Sequence, residues 1–204
     1  MIKIIDYKAG NAPSVMRAAK HLGYNAEYAR AAKDFGNATH IILPGVGSAK
    51  ATMDSLKSMN LLVKLEKMVL RKQIPFLGIC VGMQILFEDS QEDNTPCLGW
   101  LDGNVWKYNP SKVRVPQMGW NHVQFTKESP VSTQADGHFY FVNSYYVKPH
   151  DPTDIWCTAD YGGDFVAGIQ RENIFGTQFH IEKSGEAGLA LLKGFLSIER
   201  DAQC

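Results

Sequence analysis

The stretch that most constrains this chain is Phe76-Leu77-Gly78-Ile79-Cys80-Val81-Gly82-Met83-Gln84. An apolar run enters a turn with a glycine on each side of a cysteine, and a helical pattern leaves it. This is the Gly-x-Cys-x-Gly form of a nucleophile elbow, a sharp strand-to-helix turn at the top of an α/β sheet. The thiolate, not the thiol, is the nucleophile, and the free N–H groups of a helix N-terminus favour it. Gly78 and Gly82 are expected to let the backbone bend tightly and a substrate approach closely. The N–H of Val81 is expected to point where an oxyanion forms. The plainer alternative is a buried structural cysteine beside a packing glycine.

The segments around the elbow decide between these readings. Ile2–Asp6 is expected to be a strand, followed by a loop over 6–11 and a helix from Pro13–Ser14 to about His21 that Gly23 ends. A short strand near Ala26–Tyr28 and a short helix near Ala31–Phe35 precede a buried strand, His40–Leu43, and the turn Pro44–Ser48. Leu61, Leu62, Leu65, Met68 and Val69 form a helical apolar stripe, and Pro75–Ile79 leads into the elbow. Beyond about Trp100 the pattern changes to short strands: Val113–Val115, His122–Phe125, Phe139–Val142, Ile155–Ala159, Phe165–Gln170 and Ile174–Gln178. The last two flank a hairpin-like turn over 171–173. Ser184 is the expected N-cap of a final helix with Leu189, Leu192, Phe195 and Leu196 on one face. The expected fold is α/β, a single domain over 1–204. Its central, mostly parallel sheet is flanked by helices, and its C-terminal half is strand-rich. Ligands in such folds collect at the carboxyl ends of strands. Loops 6–11, 44–48 and 78–82 fall there together, which counts against a merely structural Cys80.

Charge and composition remove other classes. Lys+Arg and Asp+Glu each number 21, and no long basic run is present, so a nucleic-acid surface is not expected. No apolar run approaches a membrane span, and the N-terminus lacks a signal peptide's apolar region. Cys80, Cys97, Cys157 and Cys204 have no metal-type spacing and are expected to be reduced thiols of a cytoplasmic protein. No metal and no cofactor are expected. Cys97, Cys157 and Cys204 read as structural or incidental.

A nucleophilic cysteine needs a base, and the base needs an orienting group. Among six histidines, His180 stands out: it ends the segment Thr177-Gln178-Phe179, and Glu182 follows two residues on. In an extended segment those two side chains share a face, so the carboxylate is expected to hold the imidazole. Pro44-Gly45-Val46-Gly47 supplies a candidate second oxyanion donor, or else is simply a tight glycine turn.

Gly78-Ile79-Cys80-Val81-Gly82-Met83-Gln84, taken with Gly176-Thr177-Gln178-Phe179-His180-Ile181-Glu182-Lys183-Ser184, resembles the class I glutamine amidotransferases. Three further segments narrow the resemblance: Ile5-Asp6-Tyr7…Gly10-Asn11…Ser14-Val15, the turn at 44–47, and Pro116-Gln117-Met118-Gly119-Trp120-Asn121. With them nearly the whole chain resembles the glutaminase subunits of imidazole glycerol phosphate synthase, from histidine biosynthesis. The resemblance implies that Cys80 attacks the side-chain amide of glutamine, that His180 relays protons, and that Glu182 orients His180. It implies oxyanion donors at Val46, Gly47 and Val81, and substrate contacts at Gly45, Gln84, Glu92, Ser144 and Tyr145. It also implies a heterodimer with a (β/α)₈ cyclase subunit that receives the ammonia, with Trp120, Tyr140 and Lys183 near the shared face. The cyclase makes imidazole glycerol phosphate and an aminoimidazole carboxamide ribonucleotide.

The chain departs from that family's pattern at Ile181, where proline is frequent, at Lys8 and Ala12-Pro13, and at Asn143, where histidine is common. The departures leave open a paralogous amidotransferase subunit that serves another pathway with a similar cyclase. A cysteine hydrolase on a similar scaffold is a further alternative, disfavoured by the contexts of Gly45-Val46-Gly47 and His180.

Overall fold

A computed structural model describes residues 1–8, 11–131 and 136–199. Gly10, part of the opening motif, and Cys204 lie outside the described residues. In chain order the strands are β1 (Ile2–Ile5), β2 (Ala26–Ala29), β3 (His40–Gly45), β4 (Phe76–Cys80), β5 (Asp89–Ser90), β6 (Thr95–Pro96) and β7 (Gly103–Lys107). They continue with β8 (Gln117–Phe125), β9 (Gly137–Asn143), β10 (Tyr145–Pro149), β11 (Ile155–Asp160), β12 (Asp164–Arg171) and β13 (Ile174–Thr177). The helices are α1 (Ala12–His21), α2 (Ala49–Ser58), α3 (Leu62–Glu66), α4 (Val81–Gln84) and α5 (Gly185–Leu196), and α3 runs on into a wider turn over Lys67–Arg71.

The strands join into one sheet in the order β2-β1-β3-β4-β13-β12-β10-β7-β5-β6, with β11, β8 and β9 branching from β12. From β2 to β13 every pairing is parallel. β1, β3, β4 and β13 are buried along their whole length, as strands covered on both faces must be, and they read as near-continuous apolar runs for that reason. Beyond β13 the ladder turns antiparallel through β12, β10, β7, β11, β8 and β9. There burial alternates, and β8 shows one face to solvent. No helix among the described residues is long and apolar enough to cross a membrane.

Four local expectations change. Residues Val113–Val115 form bends ahead of β8 and not a strand; the cis Val115–Pro116 bond follows them. Helix α2 had no expected counterpart, although Ser48 caps it through Ala51 N–H and Thr52, Met53 and Leu56 bury one face. The short strands β5, β6, β7 and β10 were also missed, since chains of two to five residues carry little periodicity. Ser184 does stand at the start of α5, but its side chain does not cap that helix. Its Oγ donates to the His180 carbonyl (2.7 Å) and accepts from Tyr140 N–H (3.0 Å).

Candidate active site

Three neighbouring parallel strands end together. Gly45 of β3 pairs with Cys80 of β4, and Thr177 of β13 pairs with Ile79. The elbow is therefore flanked by the Val46-Gly47 turn on one side and the His180 segment on the other. This sheet order, and no local motif, joins residues so distant in sequence.

The elbow bends at its cysteine. Cys80 has φ 54° and ψ −111°, a left-handed conformation costly for a non-glycine residue. Gly78 and Gly82 were expected to make that bend, but neither has a positive φ. They serve packing instead. A Cβ on Gly78 would lie 2.4 Å from the Gly82 carbonyl oxygen, and one on Gly82 would lie 2.0 Å from the Leu43 oxygen. Their bare backbones let α4 rest directly on β3 and β4. That helix is a single turn, Val81–Gln84, so its dipole is small. Val81 is its first residue, and its N–H has no partner within the helix.

Cys80 lies at the base of a cavity of about 290 Å³. Val46, Gly47, Val81, Gln84, Glu92, Ser144, Tyr145, His180 and Lys183 line it too, as do Pro116, Val142 and Asn143. Gly45 stays behind this wall, where a Cβ would collide with Gly82 N at 2.4 Å. Trp120 and Tyr140 do not reach the cavity. They pair across β8 and β9, with their rings edge to face at 6.0 Å, and Trp120 is 57% exposed.

His180 and Glu182 meet, though not on an extended strand. β13 stops at Thr177, and Ile181–Lys183 forms a turn of 3₁₀ helix. That turn carries the carboxylate back over the ring, and His180 Nδ1 is 3.0 Å from Glu182 Oε1. Both side chains are almost fully buried, and Ile181 packs into the core. Burial disfavours a charged imidazole here. Hydrogen bonds from Cys80 and Glu182 and their negative charge outweigh it, holding the His180 pKa up at about 9. Burial likewise opposes the Glu182 carboxylate, and His180 and Asn11 more than compensate, so its pKa is lowered. Asn11 Nδ2 donates to Glu182 Oε1 at 2.8 Å. Asn11 stands at the N-cap of α1 but makes no side-chain cap there, and its amide is committed to the carboxylate. The sequence reading quoted Asn11 without giving it this role.

The other thiols differ from Cys80. Burial, with Asp89 and Glu92 nearby, pushes Cys97 up to about 12, and burial alone pushes Cys157 well above the ordinary thiol range. Neither is a ready nucleophile. Glu92 is half-buried, which raises its pKa against the opposing bond from Ala49 N–H (2.7 Å). The Val46 backbone hydrogen-bonds the buried Tyr7 hydroxyl and lowers the pKa of a phenol that burial raises.

A thiol on a strained strand-to-helix elbow, beside a buried His–Glu pair on an α/β sheet, is an arrangement suited to nucleophilic acyl transfer. The chain belongs to the class I glutamine amidotransferases, whose family description, "Glutamine amidotransferase class-I", matches residues 3–198; it is an enzyme that hydrolyses glutamine. It is 40% identical to the "Imidazole glycerol phosphate synthase subunit HisH" of Leptospira interrogans, over 97% of this chain and 100% of that protein. It is 44% identical to the protein of the same name from Dehalococcoides mccartyi, over 97% of each. Among solved structures, one described as "Crystal structure of glutamine amidotransferase" superposes with a TM-score of 0.77 at 17% identity, covering 96% of each chain. "Structure of PurLQS from Thermotoga maritima" gives 0.76 at 18% identity, covering 96% of each. At these identities the two structures bear on the fold alone.

Proposed function

We propose that this chain is the glutaminase subunit of imidazole glycerol phosphate synthase, passing ammonia to a (β/α)₈ cyclase subunit in histidine biosynthesis. The observation that carries the reading is its near-full-length relation to proteins of that name, at 40% and 44% identity. Cys80 and His180 meet in one cavity, and Glu182 hydrogen-bonds the far side of the His180 ring, which supports it.

In the first half-reaction Cys80 Sγ bonds to the amide carbon of glutamine. The carbonyl oxygen becomes an oxyanion that accepts from Val81 N–H and, once the 45–46 peptide turns, from Val46 N–H with Gly47 closing the loop. His180 Nδ1 is held by Glu182, which leaves Nε2 for the sulfur and the leaving group. With a pKa near 9 the ring carries a proton at neutral pH and gives it to the departing nitrogen. The C–N bond breaks, ammonia leaves and a γ-glutamyl thioester remains. In the second half-reaction His180 takes a proton from water as the water oxygen attacks the thioester. The C–S bond breaks, and glutamate and the Cys80 thiolate are released. Glu92 and the Gln84 carbonyl oxygen suit the α-ammonium of glutamine, and the Ser144-Tyr145 backbone its carboxylate. Gly45 holds the loop against α4.

Trp120, Tyr140 and Lys183 lie near the face that the cyclase covers. A cap there keeps ammonia from bulk water. Tyr140 is directly linked to the chemistry, because His180 N–H donates to the Tyr140 carbonyl at 2.9 Å.

The test is Cys80→Ala in the complex with its cyclase. Glutamine-dependent synthesis should disappear while synthesis from added ammonium persists. Glutamate release by the purified variant would refute the assignment of the nucleophile. Failure of a (β/α)₈ cyclase to co-purify from the native cell would refute the assignment of the partner.

A further inference from the structure

The buried amides next to the nucleophile form a chain whose direction is fixed by one backbone carbonyl. Tyr145 O can only accept. Gln84 Nε2 donates to it at 3.1 Å, and Asn143 Nδ2 donates to it at 3.0 Å, so its two lone pairs are filled. Gln84 Nε2 has a second hydrogen, and Gln178 Oε1 accepts it at 3.0 Å. The other end of the Gln178 amide must then be its NH₂, and that nitrogen is 3.5 Å from Cys80 Sγ. Reversing Gln178 would set two NH₂ groups against each other, and reversing Gln84 would set two carbonyl oxygens together. Neither amide can flip without breaking the chain. Gln178 is fully buried, Gln84 is 3% exposed, and the Gln178 main-chain N–H is tied to Ala167 O at 2.8 Å.

We propose that Gln178 is a further residue of the reaction centre: its side-chain N–H, aimed by Gln84 and the Tyr145 carbonyl, donates to Cys80 Sγ and stabilises the thiolate. The proposal rests on Cys80 being the nucleophile. The physical reason is the asymmetry between the two states of the sulfur. A neutral thiol is a weak acceptor, whereas a thiolate at a buried position gains far more from an N–H donor. Whenever the sulfur is a thiolate beside the His180 imidazolium, the Gln178 bond is at its strongest, without any movement. The same chain links substrate recognition to the nucleophile. Both hydrogens of Gln84 Nε2 are committed to protein acceptors, so only its Oε1 is free to meet a ligand in the cavity, and a ligand that displaces Gln84 loosens the donor on the sulfur.

The experiment is alkylation of the full chain by iodoacetamide as a function of pH, with peptide mapping of the modified cysteine. Gln178→Met keeps the size of the side chain and removes the donor. The midpoint of its Cys80 alkylation profile should move up, slowing alkylation about tenfold at pH 7, as loss of one hydrogen bond to a charged group predicts. The two profiles should converge at high pH. Gln84→Met, which leaves Gln178 in place but unaimed, should move the midpoint in the same direction by less. If Gln178→Met does not fold, the Gln84→Met profile decides. A profile that coincides with wild type in the folded variant overturns the proposal. In steady state Gln178→Met should lower kcat with KM little changed, a split that mere loss of packing would not give. The two layers fail separately: glutaminase activity in Cys80→Ala removes the nucleophile assignment, whereas a normal Gln178→Met profile with an inactive Cys80→Ala removes only this inference.

Discussion

The parallel and antiparallel halves of the sheet divide the work. In the parallel half, β3, β4 and β13 are buried on both faces, and their ends hold the turn at 45–47, Cys80 and the His180 segment within one register. In the antiparallel half, β8 and β9 have one exposed face, which carries Trp120 paired with Tyr140. The groups proposed to react stand where the backbone is fully tied down, and those proposed to meet the partner stand where one face is open. The halves join along the β12–β13 ladder, and further bonds cross between them at the site. His180 N–H binds the Tyr140 carbonyl, and the Ser184 hydroxyl binds both β9 and the His180 carbonyl. On the proposed reading, a partner that shifts β9 acts directly on His180.

Substitutions in the parallel half should break the chemistry and spare assembly. His180→Asn should reduce glutamate release by about a hundred- to ten-thousandfold, the range for loss of a general acid–base group, with cyclase binding unchanged. Val46→Pro removes the second oxyanion donor. It should lose about a hundred- to a thousandfold in partner-activated hydrolysis, while ammonia-dependent synthesis continues. Full activity of a folded Val46→Pro variant would remove the Val46 N–H as an oxyanion donor. Substitution in the antiparallel half should do the reverse: Trp120→Ala should weaken binding to the cyclase by about tenfold or more in a titration, as an exposed aromatic anchor would, and leave ammonia-driven turnover of the saturated complex near normal. Unchanged affinity and unchanged synthase rate would remove Trp120 from the interface.

The pH behaviour sharpens the same division. The folded-state pKa of His180 lies above its ordinary value of 6.5, so its proton stabilises the fold in full below about 6.5, and that contribution fades as pH rises through about 9. An NMR titration should find the His180 ring changing near pH 9 in the wild type and lower in Glu182→Gln. An unmoved midpoint would deny Glu182 its role. The smallest effect belongs to Cys97→Ser, which should leave the hydrolysis rate within error of wild type.

How much of this was legible in the sequence follows the same line. Strands covered on both faces print unbroken apolar runs, so β1, β3, β4 and β13 could be read with their glycine turns, and Cys80, His180 and Glu182 with them. Open-faced strands print alternation over few residues, and β7 and β10 went unread. The contact between His180 and Glu182 was anticipated from strand periodicity, yet it arises from a 3₁₀ turn that no spacing rule distinguishes from an extended pair. Gln178 lay in plain view within the motif at 176–184. Its tie to Cys80 needed β13 beside β4 and the Tyr145 carbonyl from β10, contacts that only the folded sheet creates.

The most direct test of the account is rapid acid quenching of the chain with its cyclase during the first turnover of glutamine, followed by mass spectrometry of its cysteine peptides. The account predicts a γ-glutamyl thioester on the peptide that carries Cys80, building up and decaying as glutamate appears. A glutamyl adduct on Cys97 or Cys157, or glutamate release with no adduct on Cys80 through the first turnover, would contradict it.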